Sequence, residues 1–415
     1  MKPGEESSAA AEWRNYWPLP LVAGLGYSVM ALQTYAIGPF VAPLEAEFGW
    51  SRAEVMMGLS LSNGIGALLN MAVGVLVDRL GPRPVALTGI VLKTAAFALL
   101  ATATGTILNW SVLWVLVAFG AALLQAQVWC SAVNSRFDKG RGFAIAVALC
   151  GTSVTGVVCP VLATWLIADF GWREAFAGIG VIWLAVTLIP VFVLFRGQQD
   201  RRRGEESAEH AVAPADLPGL TLGEGLRTPA FLRLLLAGGS YAYYSMSLAP
   251  NLVPILTEAG STAMAAATIA SIMSVFAIIG RLSAGFMVDR WPAHLVGAAM
   301  FFLPVLGCGL LMLGSPSWVV QGLAVVAVGT TIGAEFDVVL YLVSRHFGLK
   351  AFGALMGAVL TAGAAGAAIA PVFSGWIHDV TGAYDAMLLI LIGLMTINAV
   401  SMIQLGPPKQ DWHRD

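Results

Sequence analysis

Apolar runs of membrane-spanning length recur twelve times along the chain, parted by short turns rich in charge, Gly or Pro. A helix crossing the hydrocarbon of a bilayer needs about 20 predominantly apolar residues. The runs near 18–43, 53–77, 84–105, 109–134, 141–168 and 173–195 meet that length, as do those near 229–256, 263–288, 293–314, 317–344, 351–377 and 384–405. Helices are expected over strands because a segment in lipid must satisfy its own backbone N–H and C=O groups, which an open sheet cannot do. Composition agrees: 11% of residues are charged and 58% hydrophobic, against about 25% charged on an ordinary water-soluble domain. The expected class is an all-α integral membrane protein.

Several functions are excluded at this level. A net charge of −2 supplies no basic field for nucleic acid. Cys130, Cys150, Cys159 and Cys308 fall inside apolar runs with no CxxC or histidine spacing, so they read as packing residues rather than disulfides or a zinc site. His210, His294, His346, His378 and His413 lie in linkers, tails or span ends, which leaves an intramembrane enzyme without a nucleophile and base or a metal cluster. No metal and no cofactor is expected. The N-terminus is acidic and the first apolar run too long for a signal h-region, so that run reads as the first span.

Lysine and arginine set the orientation. Lys93 and Arg281 fall at membrane depth, Arg52 and Arg173 on one side, and all the rest on the other. The positive-inside rule then makes both termini cytoplasmic, in keeping with an even number of spans. Residues 196–228 hold Arg201 to Arg203, several glutamates and two prolines and have too little apolar content to form a core. They divide the chain into bundles at 1–195 and 229–405, and residues 406–415 form a tail.

The two bundles repeat one another. Gly74-Val75-Leu76-Val77-Asp78-Arg79 aligns with Gly285-Phe286-Met287-Val288-Asp289-Arg290, and the same shift pairs Pro18 with Pro229 and Pro39 with Pro250. A nearly equal shift aligns Ser135-Arg136 with Ser344-Arg345 and Arg141 with Lys350. Two pseudo-symmetric six-helix bundles, twelve transmembrane helices in all, follow from this. Parallel repeats about an axis along the membrane normal suit a carrier whose halves rock about a central site.

The stretch Gly74 to Gly81, G-x-x-x-D-R-x-G, resembles the signature of the major facilitator superfamily, with a partial copy after the eighth span. Phe48-Gly49-Trp50-Ser51-Arg52-Ala53, Arg136 to Ala144, Gly171-Trp172-Arg173, Gly333-Ala334-Glu335 and Ser344-Arg345-His346-Phe347-Gly348 further resemble monocarboxylate transporters and the related oxalate/formate antiporters. That resemblance implies an anion carrier, with the eighth-span Arg281 on the cargo's anionic group. Two departures stand out. The acidic partner that often precedes this arginine by one turn is Ala277 here, and no lysine lies between Ala351 and Ile377.

Residue chemistry points the same way. A guanidinium at Arg281's depth costs at least ~2.5 kcal/mol by insertion scales unless it meets a wet cavity or a partner. Its planar fork matches a carboxylate, so the expected role is anion anchor, and the competing account is a permanent salt bridge between helices. Its repeat mate is Asn70, a candidate cargo contact with Tyr35, Gln127, Tyr244 and Tyr341. Glu335 and Asp337 share the tenth span but point about 200° apart, so they have different jobs. Asp337 is placed to pair with Arg281 and to take up a proton when cargo displaces it; Glu335 is the other proton-coupling candidate. Lys93 reads as snorkelling or structural. Asp78, Arg79, Arg136 and Arg141, repeated as Asp289, Arg290, Arg345 and Lys350, read as ion pairs and helix caps of a cytoplasmic gate. Pro39, Pro250 and Pro371 are candidate bending points, and the small residues of the eleventh span, Gly353 to Gly366, are packing surface.

The expected function is secondary active transport of a monocarboxylate or similar small organic anion, coupled to protons, in a cytoplasmic membrane. A monomer suffices, with lipid as its only other partner. Efflux of amphipathic compounds, anion-for-anion antiport, and a non-transporting sensor of the same fold remain the alternatives.

Overall fold

A computed structural model describes residues 9–137, 139–195, 219–288, 290–348 and 350–408, with the side chain of Asp78 also outside the description. The basic run 201–203, most of the linker, Asp289 and the tail beyond 408 therefore lie outside the described residues. Among the described residues all regular structure is helical apart from an isolated antiparallel bridge between Gly219 and Gly348.

A short helix α1 (Ala9–Tyr16) precedes the first three spans, α2 (Pro18–Phe48), α3 (Arg52–Leu80) and α4 (Pro82–Leu99, continued by a 3₁₀ turn to Thr102). The fourth span is split into α5 (Ile107–Ala122) and α6 (Ala126–Asn134), and the fifth is bent at Cys150 between α7 (Arg141–Leu149) and α8 (Gly151–Phe170). The sixth is α9 (Trp172–Leu194). After the short α10 (Leu222–Leu226), the seventh comprises α11 (Pro229–Leu248) and α12 (Leu252–Glu258), interrupted around Pro250. Then come α13 (Ala263–Val288), α14 (Ala293–Met312), α15 (Trp318–Phe347), α16 (Phe352–Thr381) and α17 (Asp385–Leu405).

Eleven helical stretches among the described residues are long and apolar enough to cross a membrane. The broken seventh completes the twelve-span architecture, six from each half. Proline explains that break, since it removes an N–H from the ladder and clashes with the preceding turn. Pro39 and Pro371, by contrast, sit inside continuous helices. The Val372 N–H, next to Pro371, donates to Ser60 Oγ at 3.0 Å.

Contacts divide the chain into two compact units, Met1–Pro43 with Leu61–Ser207, and Leu44–Ser60 with Ala208–Asp415. In the first, Phe40 stacks on Phe176 with ring centroids 3.7 Å apart, and Phe97, Trp110 and Trp172 meet Phe176 edge-on. Such rings fill the space between helices with favourable quadrupole geometry. In the second, α13 and α15 touch main chain to main chain. A Cβ at Gly280 would collide with the Thr330 carbonyl, and one at Gly333 with that of Ala277. Small residues lead to such close approach in lipid, where helix association rests on packing rather than on the hydrophobic effect. The eleventh span uses its glycines selectively: Gly366 abuts the Gly239 carbonyl of α11, while Gly353 and Gly357 face open space.

Candidate functional site

The glycine-lined contact between α13 and α15 brings the eighth-span cation to the tenth-span acid. Arg281 Nε lies 3.2 Å from Asp337 Oδ2 and also donates to the Gly333 carbonyl at 3.4 Å. The acid thus comes from α15, one turn after Gly333, and not from one turn before the arginine, where Ala277 is buried. The two side chains keep 20% and 35% of their exposure, so the pair is not sealed in the interior.

Glu335, two residues before Asp337, is fully buried, and neither carboxyl oxygen has a hydrogen-bond partner among the described residues. Tyr244 of α11 is likewise fully buried with its hydroxyl unpartnered, and it stands within electrostatic reach of Glu335. In this state the Tyr244 phenol is shut away from solvent. Tyr341 is half-buried and lines a cavity of about 300 Å³ with Val288, Trp291, His294, Arg345 and the Gly406–Pro408 segment. Arg281 and Asp337 do not line it, so Tyr341 and Asp337, four residues apart, serve different spaces.

In the first unit Asn70 is exposed, and its main-chain oxygen accepts from Gln127 Nε2 at 2.9 Å. Tyr35 is half-buried. Lys93 does not snorkel. It is fully buried, and its ammonium donates to the side-chain oxygen of Gln33. That oxygen also accepts from Ser62 Oγ at 3.0 Å, and the Gln33 amide nitrogen donates to Asn63 at 3.3 Å. A polar knot therefore joins α2, α3 and α4. Depth along a helix is legible in a sequence, but the face a lone lysine takes is not, and here the interior wins because a carboxamide is waiting there.

Comparison with known proteins agrees with this architecture. The family model of the Major Facilitator Superfamily matches residues 23–371. The chain belongs to the major facilitator superfamily. Among relatives of this superfamily member, monocarboxylate transporter 11 of Mus musculus is 24% identical over 401 residues, covering 94% of this chain and 85% of the relative. Monocarboxylate transporter 13 of Rattus norvegicus is 24% identical over 357 residues, covering 86% and 80%. The Fujikurins efflux protein of Gibberella fujikuroi is 26% identical over 237 residues, covering 56% and 48%. Among solved structures, a bacterial homologue of the human lysosomal transporter Spinster, in its inward-facing and unoccupied conformation, superposes with TM-score 0.66 at 17% identity, covering 98% of this chain and 94% of that one. The protein is a multi-pass membrane transporter of the superfamily, related to monocarboxylate transporters and to efflux proteins.

Three of the residues expected at a cytoplasmic gate have local partners. Arg136 lies over the Tyr16 ring at 5.3 Å, Arg141 Nε donates to Asn134 Oδ1 at 2.8 Å, and Arg290 lies over the Phe286 ring at 3.5 Å. Arg79 and Lys350 are exposed. The carboxylates expected opposite them, Asp78 and Asp289, lie outside the described side chains. One nearby contact was not visible in the sequence: Glu12 of α1 is buried and accepts from the Lys139 and Gly140 N–H groups at 3.2 and 2.9 Å. It satisfies the N–H groups of Gly140, which caps α7, and of Lys139 just before it. A lone glutamate in a polar N-terminus carries no signal for that.

Proposed function

We propose that this transporter carries a monocarboxylate or similar small organic anion, coupled to protons and by alternating access, as a monomer in a cytoplasmic membrane with both termini cytoplasmic. The supporting observation is the Arg281–Asp337 pair. A charge at membrane depth is paired with a carboxylate that keeps part of its exposure, and the planar guanidinium fork suits a cargo carboxylate offering both oxygens. Displacement leaves Asp337 without its cation, and a proton taken up there keeps the exchange electroneutral. Glu335 on the same helix is the alternative proton carrier.

Asn70, Tyr35 and Gln127 in the first unit, and Tyr244 and Tyr341 in the second, are proposed to contact cargo at some stage of the cycle, Tyr244 only after its surroundings open. Asp78, Arg79, Arg136, Arg141, Asp289, Arg290, Arg345 and Lys350 are proposed as the cytoplasmic gate. The domain reading is two bundles at 1–195 and 229–405 joined by a cytoplasmic linker at 196–228, with a cytoplasmic tail at 406–415.

Uptake of radiolabelled lactate, pyruvate, formate and an aromatic acid into proteoliposomes, with and without an inward proton gradient, tests the reading. Gradient-driven accumulation of at least one is the expected result. Stimulation by a counter-loaded anion instead would mean antiport. The likeness to the Fujikurins efflux protein favours a second reading, export of an amphipathic compound. Failure to carry or exchange any of the acids overturns the anion reading in favour of it.

A further inference from the structure

The turn joining α2 to α3 carries a charged cluster with no part in the anion site. Leu44–Ser60 belongs to the second unit, although the stems of both helices run through the first. At the start of α3, Arg52 Nε lies 3.0 Å from Glu45 Oε1 on α2, and its Nη1 lies 2.6 Å from Glu258 Oε1 at the end of α12. The Arg52 and Ala53 N–H groups both donate, at 2.9 Å, to the two carboxyl oxygens of Asp379 on α16. The first turn of α3 is therefore capped by a carboxylate from another helix, the favourable sign at a helix N-terminus. Gly375 permits this approach, because a Cβ there would meet the Ala53 nitrogen at 2.7 Å.

A histidine completes the group. His378 Nε2 lies 3.0 Å from the same Glu258 Oε1 that faces Arg52. Its ring centroid is 4.7 Å from that of Tyr384, which also lies under the Arg52 guanidinium at 5.2 Å. The Tyr384 hydroxyl donates to Asn251 Oδ1 at 3.1 Å. Three carboxylates, Glu45, Glu258 and Asp379, are thus set against one guanidinium. The remaining side chain of the cluster able to offset that excess is His378, and histidine changes charge between about pH 5 and 8.

We propose that His378 is a proton-binding site that fastens the tip of the α2–α3 hairpin to α12 and α16. Protonated, it makes a charge-assisted contact to Glu258 and halves the negative excess around Arg52. Neutral, it offers Glu258 only an uncharged hydrogen bond. The fastened state is favoured below the histidine range and is loosened as pH rises through it. This device is separate from Arg281 and holds whichever cargo is carried.

Hydrogen–deuterium exchange of residues 50–56 reads it directly, because Asp379 holds the Arg52 and Ala53 amides only while the tip is docked. The protein is measured in nanodiscs at pH 5.5 and 8.0, each rate divided by the intrinsic rate at that pH. The expected result is roughly fivefold to tenfold more protection at pH 5.5, the difference between a charge-assisted and a neutral hydrogen bond. His378→Gln should give equal protection at both pH values. Glu258→Gln should lower protection at both and also remove the pH dependence. Equal protection of the unaltered protein at the two pH values, or an unchanged pH dependence in either variant, overturns the proposal.

Discussion

Replacing Arg281 by glutamine removes the cation while keeping a polar side chain of similar reach. At the 3.2 Å separation from Asp337, a unit charge pair at an effective dielectric of 20 has a gross attraction of about 5 kcal/mol. Exposures of 20% and 35% admit water and reduce the net value to roughly 2 kcal/mol, within the range for hydrogen bonds to charged groups. A cargo carboxylate taking the place of Asp337 meets the same surroundings. Arg281→Gln is therefore expected to weaken anion binding about thirtyfold, at 1.4 kcal/mol per decade. Arg281→Lys keeps the charge but loses the fork, and about fivefold is expected. Thermal stabilisation of the detergent-solubilised protein by a series of carboxylates gives both numbers, and uptake into proteoliposomes checks that they bear on flux. A folded Arg281→Gln protein with the unaltered protein's ligand-induced shift would refute the anchor.

Asp337→Asn is expected to retain anion binding but lose acceleration of uptake by an inward proton gradient, with Glu335→Gln keeping it; the opposite pattern would transfer the proton to Glu335. Gly333→Val drives a side chain into the Ala277 carbonyl and should cost about 1–3 kcal/mol, seen as a lower unfolding temperature, whereas Gly353→Ala, which meets nothing, should leave it unchanged. Gln33→Leu strands the buried Lys93 ammonium and is expected to destabilise by about 1.5–3 kcal/mol, while the double change with Lys93→Met should recover most of the loss; no recovery would refute the pairing as the reason for that lysine's burial.

The sequence made the spans legible because bilayer thickness imposes their length on every one of them, and the repeat around Asp78 and Asp289 made the two halves legible. The 200° between Glu335 and Asp337 follows from helix geometry, so their separation into a buried and a half-exposed acid was foreseeable, but which faced inward was not. That depended on α13 pressing against Gly333. Breaks at Leu123 to Gln125 and at Cys150 have no proline to announce them. The cluster around Arg52 draws on α2, α3, α12, α16 and the turn before α17, stretches hundreds of residues apart in part, and no local pattern joins them. Glu12 and Lys93 were opaque for the same reason, since each finds its partner on another helix.

The bare contact between α13 and α15 has a consequence for how selectivity can change. Where two helices meet main chain to main chain, the spacing of the backbone positions from which Arg281 and Asp337 project is set by that contact. Enlarging Gly280 or Gly333 would therefore move the backbone origins of both groups apart. On the proposed anion reading, adaptation to a differently shaped acid would then come from neighbouring side chains rather than from this junction.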